Sequence, residues 1–580
     1  MGGRLAWYLS FMLIVILGNT LLVTWFLSAP STPPSPSTPA SFDQQFYAKK
    51  DGEELKALIE KEVSRLEGLL RRLSYEEEGD QEDPAIADLQ QRVNLLESQL
   101  TQLSPLQMDK FFEEATRAQQ GGGFPLEERV RQLQQQLQVF KPLVGELIRK
   151  EDAPVVPLAV AQEVERVAAR LAHPKLQRMF RKCFVSTLET TTQLLPDGTT
   201  HIFTGDIPAM WLRDSSAQVH HYLPLAASDL HLQVIIEGLI TRQANRILHD
   251  PYANAFRLEP FPADKIPPNE KKNGKTPEIW ERKYEVDSLC YFLSLSYQYW
   301  QATGSTSFFD SQWKKAAELI VQTWINEQVH DPNVSPYKYH SEMPNRGVGA
   351  AHTRTGMTWS GFRPSDDPCR YNFLVPSNMF AVVVLRQLSQ IAKEVLADET
   401  LASRASRLAV EIDDGIHQYA VVNDPQLGKI YAYETDGLGN HNLMDDANVP
   451  SLLSIPYMGY TSRHDPEGVI TANTRKWVLS PKNKFYYQGK LAKGIGSPHT
   501  YNGYIWHMSL IMQALSSDDP EEVKELVRMC MNTDNNSDLM HESFHPDNPA
   551  RFSRAWFAWA NSLFGELVRT RLDIVQEIQP

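Results

Sequence analysis

Thr358-Trp359-Ser360-Gly361-Phe362-Arg363-Pro364-Ser365-Asp366-Asp367-Pro368-Cys369-Arg370-Tyr371 reads as a loop, and residues 378–395 just beyond it carry apolar side chains at the period of a helix. That pairing of a chemically loaded loop with an amphipathic helix recurs along the C-terminal part of the chain. Loops rich in Trp, Asp, Glu, Arg and Gly occur at 205–214, 281–287, 358–371, 434–446, 494–504 and 534–554. Helix-period segments separate them at 160–171, 230–248, 286–300, 313–324, 378–395, 401–419, 503–515, 521–531 and 556–571. Strand signals are few, the best being 199–203 and 429–433. The expectation is a mainly α domain over 154–580 with six helical hairpins. Closing such hairpins into a ring would gather the six loops at one end, around a single pocket.

Upstream the composition changes. Residues 5–29 hold no charged side chain and are long enough to cross a bilayer, which predicts a membrane anchor rather than a cleaved leader. Arg4 precedes the span and no Lys or Arg follows it until Lys49, so residues 1–4 are expected in the cytosol and the bulk of the chain on the far side. Residues 30–50 begin with a Pro/Ser/Thr-rich tract suited to a spacer. Within 51–150, three blocks carry apolar residues at alternating spacings of four and three: Ile59-Val63-Leu66-Leu70-Leu73, Leu89-Val93-Leu96-Leu100-Leu103 and Leu126-Val130-Leu133-Leu137-Phe140. Each block is only about two heptads, below the length that secures a coiled coil; the expectation is a helical, coiled-coil-like stem through which copies could self-associate, with a set of solvated amphipathic helices as the alternative.

Charge excludes one class of partner. The chain of 580 residues carries a net charge of −14 and has no Lys/Arg-rich tract, so nucleic-acid binding has nothing to rest on. Four cysteines, Cys183, Cys290, Cys369 and Cys530, are too dispersed for a C-x-x-C metal site but would permit one or two disulfides. Sequons stand at Asn333-Val334-Ser335 and Asn535-Asn536-Ser537.

The loops hold the chemistry. Aromatic rings beside carboxylates and guanidinium groups are what a sugar pocket requires, and glycoside hydrolysis needs two carboxyl groups, one protonated and one ionised. Asp366 and Asp367 are adjacent, and competition for charge can raise the pKa of one of them. Glu542 is the second candidate, with an ion pair to Arg551 or Arg554 as its plainer role. Trp211-Leu212-Arg213-Asp214 is the third group, a hydroxyl clamp or, for Asp214, a helix N-cap.

Glu542 lies in His541-Glu542-Ser543-Phe544-His545, which spells the H-E-x-x-H pattern of zinc proteases. That chemistry needs both histidines on one continuous helix. Pro546 follows His545 directly and disfavours a helical residue before it, and residues 532–538 are turn formers, so the stretch is expected to be a loop holding no metal.

The strings GDIPAMWLRDSSAQ, KYEVDSLCYF, TWSGFRPSDDPCRYNFLVPSNMFA, GSPHTYNGYIWHMSL and MHESFHPDNPARFSRAWFAWANSLFGEL occur in order between residues 204 and 567. Together they resemble glycoside hydrolase family 125, as a membrane-anchored, eukaryotic-type member. The resemblance implies an exo-acting α-1,6-mannosidase on an (α/α)6 toroid, inverting and without metal or other cofactor. It places the general acid in the Ser-Asp-Asp segment, Asp366 ahead of Asp367, and the general base at Glu542. It further implies that Arg213, Asp214 and Arg363 grip a terminal mannose, with Trp211 and His541 beside them. Anchor, spacer, stem and catalytic domain resemble the layout of Golgi glycan-processing enzymes, which suggests a type II protein with its catalytic domain in the lumen. An inactive mannan-binding or tethering protein is the alternative. A glycosyltransferase is less favoured, since no Gly-rich phosphate loop is present.

Overall fold

A computed structural model of the chain describes Lys141 and residues 155–580, of which 155–227 and 231–580 belong to one compact unit. The predicted anchor, spacer and stem lie outside the described residues. Among the described residues no helix is long and apolar enough to cross a membrane.

The unit is mainly helical, with two sets of helices alternating along the chain. One set comprises α2 (Pro174–Thr190), α4 (Leu230–His249), α6 (Ser311–Glu327), α8 (Glu399–Tyr419), α10 (Val469–Val478) and α12 (Pro520–Thr533). The other comprises α3 (Leu212–His220), α5 (Val286–Thr303), α7 (Val375–Glu394), the single turn α9 (Ile455–Met458), α11 (His507–Leu515) and α13 (Ala558–Thr570). A further helix, α1 (Leu158–Ala168), packs on α2. Members of the second set touch one another in the succession α11, α13, α3, α5, α7, α9. They are also the more deeply buried: every residue from Val286 to Ser296 in α5 is buried, whereas α8 buries one face only. Α helix buried nearly all round belongs to an interior layer, and one with a single apolar stripe to the outside.

Capping follows the same division. In the outer set, Asp310, Asp398 and Asp519 accept backbone N–H bonds at the starts of α6, α8 and α12, and His173 does so for α2. In the inner set, Trp211, Glu285, Leu374, Trp506 and Phe557 precede α3, α5, α7, α11 and α13 in extended conformation, with no side-chain cap. The first-turn N–H groups of those five helices, and the positive ends of their dipoles, are thus not taken up by their own caps.

Short antiparallel strands form the inner-helix entrances. β1 (Thr192–Leu194) pairs with β2 (Thr200–Ile202), and a three-stranded sheet joins β3 (Ala209–Trp211), β4 (Ala255–Arg257) and β5 (Ile279–Glu281). β6 (Phe373–Leu374) and β10 (His441–Asn442) flank β9 (Glu434–Thr435), and β7 (Val421–Asp424) pairs with β8 (Gly428–Tyr431). β11 (Tyr486–Gln488) pairs with β12 (Lys493–Ile495), while β13 (Ile505–Trp506), β14 (Ser543–His545) and β15 (Asn548–Phe552) form the last sheet.

Several expectations change here. Helices at 174–190, 212–220 and 469–478 extend the predicted set, and α13 begins at Ala558 rather than 556. Asp214 lies inside the first turn of α3 and is not its N-cap. All four cysteines are buried and unpaired, so the disulfides the sequence permits are not formed.

Candidate active site

At the start of α3, the Arg213 guanidinium is buried among four carboxylates. Nη1 pairs with Asp214 Oδ2 at 2.7 Å, Nη2 with Glu285 Oε1 at 3.2 Å and Asp366 Oδ1 at 3.3 Å, and Nε with Asp287 Oδ2 at 3.3 Å. The guanidinium also lies 5.6 Å from the Trp559 ring. One cation cannot neutralise four anions in a buried site, and the carboxyl groups respond. Burial lifts Asp214 to about 6 despite Arg213, and lifts Asp287 to about 6 on the same balance. Burial and the nearby Asp366 and Asp287 charges, opposed by Arg213, leave Glu285 well above the ordinary carboxylate range. Such a floor can offer both donors and acceptors to sugar hydroxyls.

Asp366 reaches this floor from the loop at 358–371. Gly361 and Phe362 both donate backbone N–H bonds to Tyr284 O at 3.0 Å, and Asp366 N–H donates to Arg363 O at 2.9 Å. The resulting tight turn holds Asp366 at φ +65°, a sparsely populated conformation for a side chain other than Gly. Its Oδ1 accepts from Trp211 Nε1 at 3.3 Å, Asn254 Nδ2 at 3.1 Å and Arg213 Nη2 at 3.3 Å, while Lys283 Nζ donates to its backbone carbonyl at 2.9 Å. Burial works against ionisation, yet Arg213, Lys283 and the other partners hold the Asp366 carboxyl below the usual range. Glu281, close by, is lifted to about 7 by burial and by the Asp366 charge. Asp367 points elsewhere: its Oδ1 meets His499 Nδ1 at 3.1 Å, and that bond raises the imidazole pKa.

Glu542 stands directly before β14. The His541 N–H donates to His507 Nδ1 at 2.9 Å, Met540 N–H to Asn561 Oδ1 at 2.8 Å and Phe557 N–H to Met540 O at 2.8 Å, so α11 and α13 together fix the segment. Burial drives His507 down to about 3, leaving it a neutral acceptor at that nitrogen. Glu542 Oε2 accepts from Ser553 Oγ at 2.7 Å and Oε1 lies 3.4 Å from Arg554 Nε. Those bonds orient the carboxylate while leaving it lone pairs for a water.

Arg213, Asp214, Trp211 and Asp366 thus converge, with Asp367 on the neighbouring residue and Glu542 reached through His499, whose pKa the Asp367, Asp366 and Glu542 charges all raise. Arg363 lies to one side: it is buried, with Nε 2.6 Å from Glu434 Oε1 and the guanidinium 5.7 Å from the Tyr433 ring. His541 is 1% exposed, stacked on Phe552 at 4.1 Å, with Nδ1 donating to Arg554 O at 2.9 Å. The ring is thus as deeply buried as the Arg213 floor, and its Nε2 makes no hydrogen bond among the described residues. His541 has no regular structure, Glu542 lies in a bend and 543–545 form a strand, so the H-E-x-x-H pattern is not helical. Among the described residues, no three His, Cys, Asp or Glu side chains are grouped to hold a metal ion.

Asn254, Glu285, His499 and Ser553 also belong to the site but were not singled out from sequence. Glu285 and His499 lie in loops whose composition marked them. Asn254 becomes a site residue through the β3–β4 register, which sets Trp211 opposite Ala255.

Comparisons with known proteins give the family. The family described as metal-independent alpha-mannosidase (GH125) matches residues 173–569. The Meiotically up-regulated gene 157 protein of Schizosaccharomyces pombe is 38% identical over 443 residues, 72% of this chain and 86% of that protein. A solved structure of a metal-independent alpha mannosidase from Streptococcus pneumoniae, in a non-productive substrate complex with alpha-1,6-mannobiose, superposes with a TM-score of 0.67 at 44% identity. It covers 72% of this chain and 98% of its own. A family match over residues 173–569, well over half of the chain, makes this chain a glycoside hydrolase belonging to glycoside hydrolase family 125.

Proposed function

We propose that the chain is an inverting exo-α-mannosidase that removes a terminal α-1,6-linked mannose from a glycan, with its hairpins closed as an (α/α)6 toroid. The observation that carries this reading is that His499, bonded to Asp367, feels the charges of Asp367, Asp366 and Glu542 together, beside the buried polar floor around Arg213. The bacterial relative's complex with alpha-1,6-mannobiose supports the linkage.

In this mechanism Glu542 takes a proton from a water held beside it, and the water oxygen attacks the anomeric carbon. The Asp367–His499 pair holds one proton between carboxyl and imidazole, and the glycosidic C–O bond breaks as that proton passes through Asp367 to the departing oxygen; the products are β-mannose and the shortened glycan. Between the two aspartates, the donors around Asp366 favour Asp367 as the acid. Three side-chain donors on Asp366 Oδ1 stabilise the ionised form, which suits holding Arg213 and sugar hydroxyls rather than donating a proton. The supporting layout for the remainder of the chain is that read from sequence: an anchor at 5–29, a self-associating stem and a lumenal, Golgi-resident catalytic domain.

The test is hydrolysis of α-1,6-mannobiose by the purified lumenal domain, followed by proton NMR. β-Mannose is expected as the first product, with turnover unchanged by exhaustive chelation. Glu542→Gln should lower turnover by about 10³-fold or more, with the melting curve retained. α-Mannose as first product, or wild-type turnover in the variant, contradicts the mechanism.

A further inference from the structure

Beside the site runs an open cleft of about 560 Å³ lined by Tyr501, Asn502, Tyr504, Ala550, Arg551 and Phe552. Its two walls are continuations of the segments that carry the site. Tyr501 stands two residues after His499, the partner of Asp367, and Arg551-Phe552 run directly into Ser553 and Arg554, the partners of Glu542. The chemistry of the lining is that of a sugar-binding surface. The rings of Tyr501 and Tyr504 lie 5.1 Å apart, the Arg551 guanidinium sits 5.9 Å from the Tyr504 ring, and Phe552 rests on His541. Tyr501 is 63% exposed, a large ring held out in the cleft rather than packed. The Tyr487 hydroxyl donates to Asn502 Oδ1 at 2.9 Å, which turns the amide so that its N–H groups serve as donors to the cleft. The volume falls in the range of about 300–1,000 Å³ usual for small-molecule sites.

We infer that this cleft is a distal subsite that binds the sugar units of a manno-oligosaccharide beyond the bond being cut, and so sets a preference for substrates longer than a disaccharide. The inference rests on the mannosidase reading. Pyranose C–H faces stack on Tyr501 and Phe552, and Arg551 and the Asn502 amide donate to hydroxyls. A rigid cleft that contributes binding only to longer chains raises their kcat/KM without altering the bond-breaking groups.

The experiment compares initial mannose release from α-1,6-mannobiose and α-1,6-mannotetraose by wild type, Tyr501→Ala and Arg551→Ala. The ratio of kcat/KM for tetraose over biose is expected to exceed one in wild type and to fall about tenfold in each variant. An unchanged ratio overturns the subsite. Calorimetric titration of mannotetraose into Glu542→Gln, with and without Tyr501→Ala, separates this from the function itself. If wild type cleaves neither sugar, the mannosidase reading fails. The subsite then stands if Tyr501→Ala weakens tetraose binding about tenfold, and falls if binding is unaltered.

Discussion

Three donors converge on one oxygen of Asp366, and the neighbouring Asp367 faces an imidazole, so two adjacent aspartates occupy different electrostatic settings. A substitution series can tell a proton donor from a positioning carboxylate. Asp367→Asn should lower turnover on α-1,6-mannobiose by about 10²–10⁴-fold but act far less on a dinitrophenyl α-mannoside, whose leaving group needs no proton. Asp366→Asn should depress both substrates alike, because the Arg213 floor loses its anchor whichever group departs. The opposite pattern would return the acid to Asp366. The sequence marked this turn as a candidate, although adjacent acids are common in turns as caps and loop bonds, and it was the family resemblance that placed the acid there. The sequence could not separate the two, because φ +65° at Asp366, which aims one carboxyl at Arg213 and Trp211, arises from backbone bonds to Tyr284 and Arg363. The packing of His541 was hidden for a similar reason. Proximity in sequence to Glu542 does not tell that its ring lies under Phe552.

The helices were legible where their apolar period is long, as in α5 and α7, and less so where it is broken by charges. Leu176, Met179, Phe180, Cys183, Phe184 and Leu188 of α2 do repeat at helical spacing, but Lys175, Arg178, Arg181 and Lys182 interleave them and obscure the stripe. Strands of two to five residues are too short for alternation to register, so the sheets that carry Trp211, Asn254 and Glu542 into place had no sequence signal of their own. Close packing between elements is equally hidden. Gly415 sits inside α8, where a helix would ordinarily gain about 1 kcal/mol from Ala in place of Gly. Here a Cβ would stand 2.4 Å from Thr355 O and 3.1 Å from Met357 N, both backbone atoms of the segment leading into the Trp359 loop. Backbone cannot swing aside as a flexible side chain can, so the clash outweighs the propensity. Gly415→Ala should destabilise the protein by about 1–3 kcal/mol, seen as a lower urea midpoint at unchanged slope. A higher midpoint would mean that 355–357 yields easily.

Across the whole helical unit, four of the inner helices, α3, α5, α9 and α13, are joined by a polar node away from the site at their starts. His220 at the end of α3 places Nδ1 2.9 Å from Glu566 Oε2 of α13 and Nε2 2.5 Å from Gln298 Oε1 of α5. Tyr457 of α9 donates to Glu566 Oε2 at 3.0 Å. Both ring nitrogens of His220 face acceptors, which requires the doubly protonated, charged form. Burial alone would lower the His220 pKa, but the Glu566 charge and the hydrogen bonds to Glu566 and Gln298 raise it above its ordinary 6.5. Burial likewise works to raise Glu566, and His220 together with Tyr457 brings it below 4.5. The two signs define a window. A raised His pKa stabilises the fold fully below about 6.5 and the contribution is lost as pH rises through the folded value; a depressed Glu pKa stabilises above about 4.5 and its contribution is lost as pH falls through the folded value. The node is therefore strongest between those limits. Glu566→Gln removes the anion and leaves an imidazolium in a largely buried place, which should cost about 3 kcal/mol near pH 6. Melting curves recorded across pH 5–9 should show a lower Tm for the variant. The wild-type loss of stability on the alkaline side should be absent or weaker in it, because His220 no longer titrates against a charge. A variant that keeps the same alkaline limb would show that the limb belongs to other groups, and that the node holds α3, α5, α9 and α13 together by hydrogen bonds rather than by charge.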